Sequence, residues 1–245
     1  MRWVALVSAS LALACSSDPL ESAPAPEAPP PAATGTGVPT AAPTGSAPAP
    51  NADGAGFAPG VNYPPGPYGR GVGAVIEHMT FLGWRDPVAA NYDPEALEQV
   101  SLSDFYDPSG ATTKLIVINA SAVWCTVCQA EMRQMKNEQI AQNYRARGVQ
   151  IFGTLFEDAN GGPARPSDLK LWGSAKVRSI DFPLVLDPAL KLGVYFTSDA
   201  TPLNLLVDAT SMRIVHAMMG YDSTPSTGLW GVVDRELEKR SGTAP

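Results

Sequence analysis

Two cysteines, Cys125 and Cys128, form a C-x-x-C pair that directly follows a run of mostly apolar residues, 114–120. A β-branched run of this kind, bounded by polar residues, is typical of a buried parallel strand. Residues 128–147 lack Gly and Pro and carry apolar residues at helical spacing, which predicts a helix of about five turns ended by Gly148. The pair therefore stands between a strand and a helix, whose positive dipole end stabilises a thiolate at Cys125. This position predicts a redox-active dithiol.

The small number of cysteines narrows the chemistry of the pair. The chain has three cysteines, of which the third is Cys15. A disulfide-stapled scaffold needs more cysteines, spread along the chain. A structural zinc site needs four ligands, and only His78 and His216 remain to complete one, neither at a metal-ligand spacing from the pair. An inert structural disulfide is also a poor staple, because so short a loop removes little entropy from the unfolded chain. Metal binding and an inert disulfide stay as alternatives, and redox chemistry is favoured.

The first residues, 1–14, have the pattern of a signal peptide. Arg2 supplies a positive charge, and the apolar stretch 3–14 is too short to span a bilayer as a mature helix. An A-x-A cleavage site ends directly before Cys15, an arrangement that resembles a bacterial lipoprotein signal, although Ala12 stands where such signals usually carry Leu. The resemblance implies that Cys15 is lipidated and anchors the mature protein to a membrane. Ordinary secretion with Cys15 as a free thiol is the alternative, and both predict export.

Residues 15–70 are predicted to form a disordered linker rich in Pro, Ala and Gly. Positions 18–70 hold 14 of the 24 prolines and almost no large aliphatic residue. Such a segment cannot bury enough apolar surface to offset the entropy of ordering the chain. As a flexible coil it would span roughly 40 Å. The linker would thus tether a folded domain, predicted at 71–245, to the lipid anchor.

The predicted domain is long enough for a substantial core and carries no basic cluster. It contains 15 Lys and Arg against 20 Asp and Glu, which argues against a nucleic-acid partner, and we expect a monomeric domain. After an irregular lead-in, 71–107, strands and helices alternate, and the chain ends in a hairpin and a helix, which predicts a three-layer α/β fold. Further strands are predicted at 149–156, 182–186, 203–207 and 213–219, and further helices at 166–177, 189–195 and 229–237.

Four stretches carry a family resemblance when they are taken in order: 115–125, 128–132, 182–187 and 201–208. Together they resemble the thioredoxin superfamily, and more closely its membrane-anchored, envelope-facing branch of redoxins typified by TlpA and ResA. The resemblance extends over about residues 70 to 240. It implies a thioredoxin-like three-layer α/β/α sandwich around a central mixed β-sheet.

The resemblance also implies roles for individual residues. Cys125 would be the exposed, attacking thiol, and Cys128 would resolve the mixed disulfide by attacking Cys125. Trp124 would form an apolar platform beside the attacking sulfur, with an ordinary core aromatic as the alternative. Thr201 would present its backbone to the substrate, with Pro202 in the cis form. The alternative for Pro202 is a trans proline at a strand edge.

Several residues depart from the family pattern. Thr126 and Val127 stand between the cysteines, where most relatives carry proline. This dipeptide helps to set the thiol pKa and reduction potential, so the direction of electron transfer stays open, with reduction favoured by the resemblance. Asn119 occupies the position of a buried proton-accepting Asp in thioredoxins, although the TlpA-like branch commonly has Asn there. Glu131 could take a proton from Cys128, but an exposed helix carboxylate is the favoured alternative.

Three other functions make different demands on the sequence. A peroxiredoxin would need Pro and Thr or Ser seven and three residues before its reactive cysteine, where this chain has Ile118 and Ala122. A Sco-like copper chaperone would need C-x-x-x-C and a suitably placed histidine, whereas His216 lies in the apolar pattern of a strand. A non-catalytic binding module with the same fold stays open. A measured cysteine pKa near that of a free thiol would favour the binding module, whereas a depressed pKa would favour an enzyme.

The sequence thus predicts a lipid-anchored thiol–disulfide oxidoreductase of the bacterial cell envelope, facing the periplasm. It would exchange disulfides with protein clients, most simply as a reductant. No cofactor or metal is expected, because the electrons pass through the Cys125–Cys128 dithiol. A membrane electron donor would recycle it.

Overall fold

The computed structural model describes residues 62–173 and 180–242. The predicted signal peptide, Cys15 and most of the predicted linker lie outside these residues. The described chain begins inside the predicted linker, yet Tyr63 is buried there and its hydroxyl donates a hydrogen bond of 3.0 Å to the carbonyl of Ile76. The packed part of the chain therefore includes residues that the composition assigns to the linker. Among the described residues, no helix is long and apolar enough to cross a membrane.

Within the described residues, seven strands form one mixed sheet with the order β2-β1-β5-β4-β3-β6-β7. The central strands β3, β4 and β5 are parallel to one another, and the other neighbouring pairs are antiparallel. The bounds are β1 (Thr80–Trp84), β2 (Glu98–Ser101), β3 (Leu115–Ala122), β4 (Val149–Glu157), β5 (Leu184–Leu186), β6 (Leu203–Asp208) and β7 (Arg213–Met219).

Four α-helices and two short 3₁₀ helices accompany the sheet in the described part of the chain. The helices are α1 (Thr126–Asn137), α2 (Ile140–Arg145), α3 (Pro166–Trp172) and α4 (Leu229–Ser241), and the 3₁₀ helices are Leu102–Phe105 and Lys191–Tyr195. The predicted strand before the cysteine pair, the strand after it and the late hairpin are confirmed. The predicted helix 166–177 ends at Trp172 within the described residues, and the predicted helix 189–195 is a 3₁₀ helix.

The single helix predicted at 128–147 is wrong, because the segment folds as two helices. Gln139 has φ 52° and ψ 37°, a left-handed conformation that ends the α1 direction and begins α2. Met135 and Ile140 are both buried, although they are five positions apart in the sequence. That spacing does not keep two side chains on one face of a straight helix, and the break brings both into the core.

The predicted irregular lead-in is also wrong, because it contains β1 and β2. These two strands extend the sheet on the side of β5. Gly83 in β1 lies so close to β5 that a Cβ atom there would be 2.3 Å from the carbonyl oxygen of Leu184. The glycine permits this close approach, and it also interrupts the apolar pattern by which a strand is recognised.

The two faces of the sheet are covered differently. Asn119, Gly153 and Leu184 are register partners and so share one face, which α1 covers through Glu131. On the other face the Phe152 ring packs against neighbouring aromatic rings, one of which ends the first 3₁₀ helix. The structure therefore confirms the thioredoxin-like three-layer sandwich with a central mixed sheet. The cysteine pair lies at the carboxyl end of β3, where α1 begins.

Candidate active site

Cys125 and Cys128 are joined by a disulfide bond at the amino end of α1. Cys125 is the N-cap residue, and its Sγ accepts a hydrogen bond of 3.0 Å from the backbone N–H of Cys128. After reduction, this N–H and the positive end of the helix dipole stabilise a thiolate on Cys125. The strand-to-helix position predicted for the pair is confirmed.

The attacking cysteine is less accessible than predicted. Cys125 is only 4 % exposed, so the prediction of an exposed thiol is wrong. Cys128 is buried even more completely. The reason is the loop at Thr201, which covers the pair: its carbonyl oxygen lies 3.9 Å from the Cys125 Sγ and its Oγ1 3.5 Å from the Cys128 Sγ. Cys125 remains the more accessible sulfur, in agreement with its predicted role as the attacking thiol.

The Thr201–Pro202 peptide bond is cis, as predicted. The carbonyl oxygen of Pro202 accepts a hydrogen bond of 2.7 Å from the N–H of Gly220, which ties the loop to the end of β7. The fold therefore brings Thr201 beside the disulfide from a distant part of the sequence.

Two exposed apolar side chains, Trp124 and Val127, are direct sequence neighbours of the disulfide-bonded cysteines. Trp124 is 45 % exposed, and its indole Nε1 donates a hydrogen bond of 2.6 Å to a carboxylate oxygen of Glu157 at the end of β4. The alternative of a core aromatic is therefore wrong. Val127 is 43 % exposed, and Thr126, the first residue of α1, is exposed as well. An exposed aromatic beside a reactive disulfide is a feature that a protein partner can bury.

Glu131 is buried on α1, so the favoured expectation of an exposed carboxylate is wrong. The side chain is 1 % exposed and accepts hydrogen bonds from Asn119 Nδ2 at 2.7 Å and from Asn204 Nδ2 at 2.8 Å. Burial raises the pKa of Glu131 to about 7, and the hydrogen bonds from Asn204 and Asn119 act in the opposite direction. A carboxyl group with a pKa near neutrality can both take up and release a proton at neutral pH.

Glu131 stands one helical turn after Cys128 on α1, and both side chains are buried. Residues three apart on a helix lie on the same face, so the side chains of Glu131 and Cys128 leave α1 on the same side. The sequence analysis did not single out Asn204, although a usable signal existed. Asn204 is the only polar residue among positions 203–207, and polar residues inside a buried strand need a partner.

The remaining candidate residues do not form a second centre. His216 on β7 is half-buried and His78 bonds through Nε2 to the Ser103 hydroxyl at 3.0 Å; burial lowers the pKa of both histidines. No three or more His, Cys, Asp or Glu side chains within 62–173 and 180–242 are grouped so that they could hold a metal ion. Ile118 and Ala122 are buried in β3. The positions where a peroxiredoxin would carry Pro and Thr or Ser are thus occupied by buried Ile and Ala here.

Comparison with known proteins agrees with this architecture. The sequence model of the AhpC/TSA family matches residues 88–212, just over half of the chain. Among solved structures, a putative thiol:disulfide interchange protein DsbE from Chlorobium tepidum is 18% identical with a TM-score of 0.51, over 69% of this chain and 99% of that chain. A hypothetical protein from Sinorhizobium meliloti 1021 is 16% identical with a TM-score of 0.51, over 69% and 85% of the two chains. At these identities the likeness is one of fold. Curated protein sequences give no significant match.

Proposed function

The chain belongs to the AhpC/TSA family, redoxins of the thioredoxin superfamily, and on that basis we propose that it reduces disulfide bonds in protein clients at the bacterial cell envelope. The observation that carries the proposal is the Cys125–Cys128 disulfide at the amino end of α1, with Thr201 beside both sulfurs. The exposed apolar side chains of Trp124 and Val127 support a protein as the client.

The reaction proceeds through a mixed disulfide. In the reduced protein, the Cys125 thiolate attacks one sulfur of the client disulfide, and the other client sulfur leaves as a thiolate that is then protonated. Cys128 next loses its proton to the Glu131 carboxylate and attacks the Cys125 Sγ. The client leaves with both sulfurs reduced, and the Cys125–Cys128 disulfide holds the two oxidising equivalents. The helix dipole favours the first step because it stabilises the Cys125 thiolate.

A membrane setting completes the proposal. The signal pattern of residues 1–14 supports export, and the cysteine at position 15 supports a lipid anchor. A membrane protein that donates electrons would return the disulfide to the dithiol, and no bound cofactor takes part in this scheme. Metabolic labelling with a radioactive fatty acid tests the anchor. Label should enter the wild-type chain and be absent from Cys15→Ser; label in neither would leave a secreted protein.

The reduction potential tests the proposed direction of the reaction. We would equilibrate the full chain carrying Cys15→Ser, which leaves Cys125 and Cys128 as its only cysteines, in dithiothreitol or glutathione buffers. A value well below about −200 mV would support a reductant, and a value near about −120 mV would indicate an oxidant. If the pair does not cycle between disulfide and dithiol, the chain is a binding module and the proposal fails.

The two cysteines should differ when single variants meet a disulfide-bonded client. Cys128→Ser should accumulate a mixed disulfide through Cys125, because no resolving thiol remains, whereas Cys125→Ser should not. Non-reducing electrophoresis with a model protein disulfide reads this directly. Hydrogen peroxide serves as the competing substrate: oxidation of the dithiol by peroxide far faster than that of a free cysteine would point to a peroxidase instead.

A further inference from the structure

The carboxylate of Glu131 belongs to a closed set of buried hydrogen bonds. Asn119 Nδ2 donates to Glu131 Oε2 at 2.7 Å and to Asn204 Oδ1 at 2.9 Å. Asn204 Nδ2 donates to the second carboxylate oxygen, Oε1, at 2.8 Å. The hydroxyl of Ser121 donates to Asn119 Oδ1 at 2.7 Å. None of these four side chains is more than 1 % exposed. The amide groups therefore have no solvent to satisfy them and depend on one another.

The direction of these hydrogen bonds fits a carboxylate better than a carboxylic acid. Each oxygen of Glu131 faces an amide N–H, which can only donate. A protonated carboxyl group must donate a hydrogen bond itself. The amide oxygens of Asn119 and Asn204 already accept from Ser121 and from Asn119. Hydrogen bonds from amides to a charged acceptor are stronger than those to a neutral one, so the arrangement favours the ionised group.

Few other groups act on this carboxylate. Cys128 precedes it by one turn on α1, and Tyr221, after β7, interacts with it electrostatically and donates its hydroxyl hydrogen bond to Gln134. In the described part of the chain, the influences on the pKa of Glu131 are burial, which raises it, and the bonds from Asn204 and Asn119, which lower it. The amides of Asn204 and Asn119 therefore stabilise the negative charge of Glu131, which burial disfavours.

We propose that Asn204 is a positioning residue that, together with Asn119, holds Glu131 as a carboxylate and thereby sets the pH range in which Cys128 resolves mixed disulfides. The part that concerns Cys128 rests on the function proposed above. The part that concerns Glu131 rests on the hydrogen bonds alone. We call the two side-chain amides that bond Glu131, those of Asn119 and Asn204, the amide clamp. Asn204 and Asn119 are register partners on β6 and β3, so strand pairing, and not a loop, positions the clamp.

The titration of Glu131 tests the clamp without reference to activity. We would label the glutamate carboxyl carbons of the oxidised full chain, in the Cys15→Ser background, and assign the Glu131 signal by its loss in Glu131→Gln. Asn204→Leu, which keeps the branching of the side chain but removes the amide, should raise the midpoint of this signal by about one pH unit or more. An unchanged midpoint would overturn the proposal.

Two further variants keep this test decisive. Asn204→Thr suits a strand and retains a hydroxyl, and it should raise the midpoint in the same direction if Asn204→Leu does not fold. Thr154→Val is the matched control, because Thr154 is buried in β4, next to β3, and its hydroxyl has no hydrogen-bond partner among the described residues. Thr154→Val should leave the midpoint unchanged. A midpoint that moves equally in all variants would assign the effect to general loosening of the core and overturn the role of Asn204.

The kinetics of mixed-disulfide resolution test the functional part. With Glu131 less ionised, Asn204→Leu should slow client release about fivefold at pH 7 and move the pH–rate profile to higher pH. In a Glu131→Gln background, the same substitution should have no further effect on the profile. A persistent effect there would reduce Asn204 to a structural residue. If the wild-type dithiol reduces no client at all, the proposed function fails, while the carboxyl titration still decides the clamp.

Discussion

Burial of Glu131 makes the stability of the folded chain depend on pH. The pKa rises from the ordinary 4.5 to about 7 in the folded protein, first because burial disfavours the charge. The folded state therefore binds a proton that the unfolded state has already released between about pH 4.5 and pH 7. Because the pKa of this acid is raised on folding, its contribution to stability is most favourable below pH 4.5 and decreases as the pH rises towards 7.

The magnitude follows from the two pKa values. One pKa unit corresponds to about 1.4 kcal/mol, so the full difference amounts to about 3 kcal/mol. Between pH 5 and pH 8 the part lost is about 2.5 kcal/mol, because the unfolded-state group is already largely ionised at pH 5. This is near the upper end of the changes of about 0.5–3 kcal/mol that most single substitutions cause.

Glu131→Gln removes the titration and so should remove this loss. Relative to the wild type, the free energy of unfolding of the variant should rise by about 2.5 kcal/mol between pH 5 and pH 8. The glutamine places its own N–H₂ group against an amide donor, which costs about 1–2 kcal/mol, but that cost does not change with pH. The comparison across pH therefore isolates the carboxyl group.

Urea denaturation at pH 5, 6, 7 and 8 measures the effect. Both proteins would carry Cys15→Ser and be kept oxidised, so that no thiol titrates. The histidines are identical in the two proteins, and their contribution cancels in the difference. A difference between variant and wild type that stays flat within about 0.5 kcal/mol from pH 5 to pH 8 would refute the reasoning, since Glu131 would then titrate alike in both states.

Three other substitutions test packing and recognition. Gly83→Ala should destabilise the domain by about 2 kcal/mol or more in urea denaturation, because a Cβ atom would overlap the carbonyl of Leu184. The control Gly71→Ala meets open space and should be near neutral, and equal effects of the two substitutions would contradict the close approach of β1 and β5. Phe152→Ala should cost about 3–5 kcal/mol in the same assay, and a loss below about 1 kcal/mol would show that its aromatic cluster contributes little. Trp124→Ala should lower kcat/KM for a protein disulfide about tenfold and leave the rate of reaction with dithiothreitol unchanged. An equal loss with both substrates would show that Trp124 acts on the thiol–disulfide exchange step and not on client binding.

Local patterns in the sequence were sufficient for the cysteine pair and the elements beside it. The strand before Cys125 consists mostly of apolar residues because both faces of β3 are buried, and in α4 the buried apolar residues recur at helical spacing. The same reasoning failed at Gln139 and at Gly83. At both positions the contacts with neighbouring elements set the conformation. At Gln139 the helix breaks and restarts as α2, and at Gly83 two strands approach closely.

The burial of Glu131 shows most clearly where local reasoning ends. A glutamate on a helix is usually exposed, and nothing within α1 marks this one as different. Its two amide partners come from β3 and β6, which are distant in sequence and adjacent in the sheet. Burial depends on what the rest of the chain places over a side chain, and a pattern of spacing along one helix does not contain that information.

The sequence by itself determined the type of chemistry and most of the elements from β3 onwards, because a C-x-x-C pair between a strand and a helix has a local physical meaning. Only the tertiary structure decided the environment of that chemistry. Strand pairing brought Asn119 and Asn204 to one carboxylate, and the Thr201 loop closed over the sulfurs, because hydrogen bonds and desolvation act between groups that meet in space whatever their separation along the chain.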